Sequence, residues 1–168
     1  LFIKSNYFNT ILRRIKKTKV DNSPNYKYSG LFFCLVPKIV KMISKKSFEI
    51  FLNQNFYSKL NLNLSFNPLT KNPKDIIAPT QLDTIFRKQL VHGFVHDETA
   101  AIMGGISGNA GLFGSAKDIG KISEMFLNYG VYNNERFLSE NTIKYFTNPG
   151  NYKNAKETRG LGFDKPRL

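Results

Sequence analysis

The chain of 168 residues is long enough for one domain with a sizeable hydrophobic core and too short for two. Its 41% hydrophobic and 14% aromatic residues are typical of a globular protein and exclude a disordered one. The formal net charge of +13 comes without RNA-binding, helix-turn-helix or zinc-finger patterns, so we attribute it to lysine-rich composition and expect no nucleic-acid partner.

Three helices are predicted in the first third of the chain. Apolar residues at helical spacing predict an amphipathic helix over residues 6–19 with a basic opposite face. We expect it to pack on its own domain; a helix lying on a membrane surface is the less common alternative. An apolar helix follows over residues 31–43, kinked or broken by Pro37. A third helix is predicted over residues 47–56, with Ser47 as its N-cap.

The single cysteine, Cys34, excludes an internal disulfide and a cysteine-rich metal site. Its neighbours are apolar, so we expect a small buried side chain. No stretch of the sequence is apolar for long enough to predict a transmembrane helix.

Residues 61–79 are rich in Asn and Pro and predict a loop. Thr80 is then predicted to cap a short helix over residues 81–90, because Asp83 stands three positions later as in a capping box.

The last part of the chain contains two more capping patterns. Ser115 and Asp118 predict the start of a helix that ends near Leu127, and Ser139 predicts the start of another that runs through Phe146. The segment between these helices predicts a turn. The predicted structure is therefore mostly helical, with few strands.

Residues 92–118 hold two histidines, three carboxylates and six of the twelve glycines. Glycine at this density indicates a backbone that bends sharply or approaches another segment closely. His92 and His96 would suit a metal only on a helix, which Gly93 and Val95 disfavour, so we expect no metal site. The glycines are not followed by Gly-Lys-Ser/Thr, so we predict no phosphate loop and no cofactor.

Several blocks in order resemble the serine hydrolases of the β-lactamase and penicillin-binding-protein superfamily. The resemblance runs from about residue 26 to residue 166. Its blocks are Tyr28-Ser29-Gly30; His92-Gly-Phe-Val-His-Asp97; Gly104-Gly-Ile-Ser-Gly-Asn-Ala-Gly-Leu-Phe113; and Arg159-Gly-Leu-Gly-Phe-Asp-Lys-Pro166.

The resemblance implies an α/β (α+β) fold of the β-lactamase/transpeptidase type, of which residues 1–168 would be a partial domain, largely its helical subdomain and loops. The branch is class C-like and esterase-like, and is often fused to a family 3 glycoside hydrolase of the β-N-acetylglucosaminidase type. It implies a cell-envelope or periplasmic location. The implied substrate is a cell-wall peptide or glycan, a β-lactam, or another small ester or amide.

The resemblance gives Tyr28 a catalytic role beside a nucleophilic serine, taking or relaying its proton. A phenol acts this way only where nearby cations favour the phenolate or where it belongs to a proton-relay network. By itself, the three-residue motif favours a tyrosine that ends a loop against the core; the further blocks of the resemblance favour the catalytic role.

Four further residues are expected to line the substrate cleft: Ser29, His96, Asp97 and Asn109. Two positions depart from the family pattern. Gly30 stands where an amide or carboxylate is expected, and Asn109 stands where a histidine is usual. Both changes affect side chains that would bind substrate.

The sequence contains no Ser-x-x-Lys, and no Lys-Thr-Gly or His-x-Gly after Tyr28. In the family, the first motif lies upstream of the tyrosine and the second lies after the Gly-Leu-Gly-Phe-Asp block. We therefore expect an internal fragment of a longer hydrolase, inactive and marginally stable by itself. An alternative is a non-catalytic module that binds the cell wall after its active site has decayed; a nucleic-acid binder, with salt-sensitive affinity, is a third hypothesis.

Overall fold

The computed structural model describes residues 7–20, 28–148 and 159–163. Within these ranges the fold combines helices with small antiparallel sheets, which confirms a mixed α+β architecture. The helices are α1 (Tyr7–Lys17), α2 (Leu31–Ser44), α3 (Phe48–Leu52), α4 (Glu98–Ile102), α5 (Ala116–Leu127) and α6 (Glu140–Thr147). The strands are β1 (Ser65–Phe66), β2 (Pro79–Asp83), β3 (Gln89–His92), β4 (Leu112–Phe113), β5 (Val131–Tyr132) and β6 (Glu135–Arg136).

The described strands form three two-stranded sheets. β1 pairs with β4, β2 with β3, and β5 with β6, all antiparallel. The β1–β4 pair joins segments nearly fifty positions apart, with Ser65 opposite Phe113, and so connects the region after α3 to the glycine-rich run. No helix in the described ranges is both long and apolar enough to cross a membrane.

The N-terminal helix packs on the domain as predicted. Leu12 of α1 is buried with Cys34 of α2 and with Met103, which follows α4. Phe8, Ile11, Ile15 and Leu35 pack around these three. The apolar face of α1 is thus used inside the fold, while its basic residues remain exposed.

The predicted N-caps are confirmed for three helices. Ser47 accepts a hydrogen bond from the backbone N–H of Ile50 (3.3 Å), and Ser139 accepts one from that of Thr142 (3.0 Å). The third cap, at the start of α5, is a complete capping box centred on Ser115. After α3 the helical path continues as a π turn over Asn53–Tyr57.

The helix predicted over residues 81–90 is wrong, since these residues belong to the β2–β3 hairpin. Thr80 does not cap a helix: its hydroxyl donates to the carbonyls of Val91 (3.1 Å) and Phe94 (2.9 Å). Asp83 instead closes the hairpin turn, where its Oδ1 accepts from the N–H groups of two turn residues (2.8 and 3.1 Å). An aspartate holds backbone N–H groups in turns as well as at helix starts, so the capping pattern was ambiguous.

The predicted loop at residues 61–79 and the predicted turn at 129–136 contain more regular structure than expected. The first includes β1 and two short 3-10 turns, Pro68–Thr70 and Lys74–Ile76, and the second is the β5–β6 hairpin. These strands are only two residues long, which is too short for an alternating pattern to reveal them.

Pro37 lies inside α2 without ending it, so a break at this position is wrong. Proline has no N–H, and the carbonyl of Phe33 therefore lacks its usual helical donor. The backbone of Gly108 lies against this carbonyl, so closely that a Cβ would overlap the oxygen. The missing side chain lets the glycine-rich run approach the first turn of α2, which assembles the candidate site.

Candidate active site

A pocket of ≈ 260 Å³ forms where the start of α2, the start of α4 and the glycine-rich run meet. Tyr28, Asp97 and Asn109, far apart in the sequence, lie in its wall. The complete lining is Tyr28, Gly30, Leu31, Cys34, Asp97, Thr99 and Asn109. The structure therefore brings together three of the five residues that the sequence singled out.

Tyr28 is 74% exposed, so its phenol is accessible to a ligand. The guanidinium carbon of Arg159 lies 5.8 Å from the centre of its ring. Arg159 opens the downstream Gly-Leu-Gly-Phe block, which also reaches α2 and α5 through Gly162 near Phe33 and the packing of Phe163 on Phe126. The contact is a cation–π interaction that holds the ring of Tyr28 against the guanidinium.

The Asn109 side chain is held at both ends. Its Oδ1 accepts from the Ser107 hydroxyl (2.6 Å) and from the Cys34 thiol (3.5 Å), and its Nδ2 donates to Asp97 Oδ1 (3.2 Å). Two donors converge on the oxygen and one acceptor faces the nitrogen, so only one orientation of the amide satisfies all three contacts. The amide is a fixed part of the pocket wall.

Asp97 joins the pocket to α4. Its Oδ1 accepts from the backbone N–H of Ala100 (2.7 Å) as the N-cap of the helix, and the same oxygen faces Asn109. A cap hydrogen bond restricts the carboxylate because it must stay over the first helical turn. The charge of Asp97 is consequently fixed at the rim of the pocket.

Cys34 is buried, as predicted, and serves the site as a donor. Burial raises the pKa of its thiol, the Asp97 charge raises it further, and the hydrogen bond with Ser107 works in the opposite direction. The group therefore stays protonated and donates to Asn109 and to the carbonyl of Gly30 (3.7 Å). A protonated buried thiol is a poor nucleophile, which agrees with a structural role.

Two predicted cleft residues do not line this pocket. The Ser29 hydroxyl oxygen accepts from the backbone N–H of Leu31 (3.3 Å) at the start of α2. His96 instead lines a larger cleft of ≈ 1140 Å³.

His92 lies at the end of β3, where its Nε2 donates to the carbonyl of Ile77. Among the described residues, no three His, Cys, Asp or Glu side chains come together to hold a metal ion.

Arg87 is a site-supporting residue that the sequence reasoning missed. Its side chain is buried in the β2–β3 turn and donates to the carbonyls of Val95 (2.8 Å) and His96 (2.6 Å), next to Asp97. Its Nε lies 3.6 Å from the Asp83 carboxylate. Burial works to raise the pKa of Asp83, but the backbone N–H groups of the turn and the Arg87 charge together hold it below its usual value.

Ser107 was also missed. It is buried, and its short hydrogen bond to Asn109 orients that amide. Its only sequence signal was its place beside Gly108 in the glycine-rich run. Arg87 gave no signal, because its segment was predicted to be a helix.

No protein-family model and no solved structure matches this chain. Similar sequences do occur among bacterial proteins named "putative D-alanyl-D-alanine carboxypeptidase". Those of Escherichia coli O157:H7 and strain K12 are each 34% identical over 169 residues, covering 90% of this chain. That of Salmonella enteritidis PT4 is 32% identical over 169 residues, covering 92% of this chain.

The chain spans about 38% of the length of these curated relatives. The similarity includes nearly the whole of the present sequence. Over most of its length, the chain is similar to one part of bacterial proteins named as D-alanyl-D-alanine carboxypeptidases.

Proposed function

We propose that this chain is part of a serine hydrolase of the β-lactamase and penicillin-binding-protein superfamily that acts as a carboxypeptidase on cell-wall peptides in the envelope. The observation that carries the proposal is the 34% identity to the two Escherichia coli proteins over 90% of the chain. The pocket supports it independently, because it joins Tyr28 to two side chains expected to line the cleft.

In the proposed reaction, a serine outside this chain attacks the carbonyl carbon of the scissile peptide bond. Tyr28 takes or relays the serine proton, which then passes to the leaving amine as the C–N bond breaks. Water hydrolyses the resulting ester and regenerates the serine. Arg159 assists in the proposal by holding the Tyr28 ring at the pocket through its cation–π contact.

We propose that Asp97 and Asn109 line the side of the pocket that receives the substrate. Gly30 bears no side chain there, and a Cβ at this position would lie 3.9 Å from the Cβ of Asn109. The absence of a side chain leaves room that an amide or carboxylate would occupy in the family pattern. We propose that the fixed amide of Asn109 borders this space and contributes polarity to it.

Ser29 and His96 have separate parts in the proposal. Ser29 keeps Tyr28 at the start of α2 through its hydrogen bond to Leu31. His96 lies outside the pocket and would contact a ligand only in the neighbouring cleft, which it lines. Attachment to a β-N-acetylglucosaminidase stays a prediction of the resemblance alone, since the relatives named above carry no such activity in their names.

The test is release of D-alanine from a peptide ending in D-Ala-D-Ala by the natural gene product. Tyr28→Phe should lower the rate about 100-fold or more, since general acid–base groups contribute about 10²–10⁴. Tyr7→Phe on α1 is the matched control and should leave the rate unchanged.

Absence of D-alanine release by the folded wild-type protein would overturn the carboxypeptidase proposal. If that protein still bound purified cell wall, the non-catalytic wall-binding module would be favoured. Equal rates for wild type and Tyr28→Phe would remove Tyr28 from the reaction.

A further inference from the structure

The larger cleft, of ≈ 1140 Å³, is separate from the Tyr28 pocket although the two share their dividing wall. In the segment before α4, His96 lines the cleft and Asp97 lines the pocket. In the glycine-rich run, Asn109 lines the pocket while Ala110 and Gly111 line the cleft. The cleft is somewhat larger than the roughly 300–1,000 Å³ of typical small-molecule sites, so it has room for a longer ligand.

The charges around the cleft favour an anion. Lys117 and Lys121 both line it, and the Lys117 ammonium has no hydrogen-bond or ion-pair partner among the described residues. Lys121 donates to the backbone carbonyls of Leu60 and Asn61. The Asp118 carboxylate, the one acidic group in the described lining, is used internally by three hydrogen bonds.

The rest of the lining suits a peptide. Apolar side chains such as Ile77 and Phe113 line it together with the amides and hydroxyls of Asn63, Asn72 and Ser65. An extended peptide presents the same mixture of apolar side chains and backbone amides. A glycan would be expected to use aromatic faces, and Phe113 is the only aromatic residue in the described lining.

We propose that this cleft is a second binding site, for an extended peptide with a free carboxylate that is received by Lys117. The proposal concerns binding alone and does not depend on hydrolysis at the Tyr28 pocket.

The test uses isothermal titration of the natural gene product with N-acetyl-Ala-Ala-Leu and with its C-terminal amide. The acid should bind about threefold to fivefold more tightly than the amide, the scale expected for one exposed ion pair. Lys117→Gln should bring this ratio close to one. Lys41→Gln, which removes the same charge from an exposed position on α2, should preserve it.

Backbone amide shifts should locate the peptide in the cleft, with the largest changes at Gly111 and Gly114. A ratio that Lys117→Gln leaves unchanged would overturn the proposal, as would shifts confined to the Tyr28 pocket. No saturable binding of the acid peptide, or binding of chitotriose in its place, would overturn it equally.

Discussion

Asp118 provides the sharpest test of how the fold is held around the cleft. Its carboxylate accepts from the Ser115 hydroxyl (2.6 Å) and the Ser115 N–H (3.1 Å), completing the capping box of α5. It also accepts from the backbone N–H of Asn63 (3.0 Å), which lies 55 positions away. A single side chain, 5% exposed, therefore caps a helix and ties it to the segment that enters β1.

We expect Asp118→Ala to reduce the free energy of unfolding by about 2 kcal/mol. Loss of a helix cap costs about 1 kcal/mol, and loss of a net hydrogen bond to Asn63 costs about another 1 kcal/mol. The cost stays at this level because Asn63 and Ser115 are exposed, so water replaces part of what their N–H groups lose.

The loss of unfolding free energy caused by Asp118→Ala should depend on pH. The Ser115 hydroxyl is the main reason that the pKa of Asp118 lies below its usual value, with the backbone N–H groups and Lys121 adding to the effect against burial. A lowered pKa in the folded state stabilises the protein above the unfolded pKa of about 3.9, and this stabilisation is lost as the pH falls through the folded value. The difference between wild type and Asp118→Ala should therefore be full at pH 7 and shrink below about pH 4.

The measurement is urea unfolding followed by circular dichroism at several pH values. Glu124→Ala is the control, because it removes an exposed carboxylate from the same helix and should change stability by less than about 0.5 kcal/mol. Equal losses for both variants, or a loss that does not vary with pH, would refute the role assigned to Asp118.

Three further predictions concern the contacts around the Tyr28 pocket. Arg87→Gln should raise amide hydrogen exchange in the loop before α4, because Arg87 donates to two carbonyls of that loop. Arg136→Gln should leave the loop unaffected; equal exchange in both variants would contradict the role of Arg87. Gly108→Ala should lower the urea midpoint because its Cβ meets the α2 backbone, and Gly120→Ala, in open space on α5, should raise stability by about 0.5–1 kcal/mol. Cys34 should react with iodoacetamide far more slowly in the folded chain than in urea, because burial limits access to the thiol and raises its pKa. The rate should rise with pH as the thiolate forms; fast labelling of the folded chain would contradict its burial.

The features predicted correctly from the sequence depend on contacts between residues that are close together in the chain. The caps at Ser47, Ser115 and Ser139 require contacts only three positions away, so their patterns could be recognised without knowledge of the fold. The same local rule failed at Thr80 and Asp83, because both side chains hydrogen-bond equally well within a hairpin.

Long-range contacts explain what could not be predicted. Cys34 and Asn109 meet across 75 positions, next to the point where the backbone of Gly108 approaches the carbonyl of Phe33 too closely for any side chain. Glycine density indicated a close approach but could not identify its partner. The resemblance singled out Tyr28, Asp97 and Asn109, whose common pocket then emerged from the structure, whereas Ser107 depended on tertiary packing.

Fluorophosphonate labelling of the natural gene product, with the modified residue located by peptide mass spectrometry, tests whether the protein is a serine hydrolase served by Tyr28. We predict label on one serine outside the 168 residues, with labelling slowed by Tyr28→Phe and unaffected by Tyr7→Phe. A folded gene product that takes up no label, or that is labelled on a serine within this chain, would contradict it.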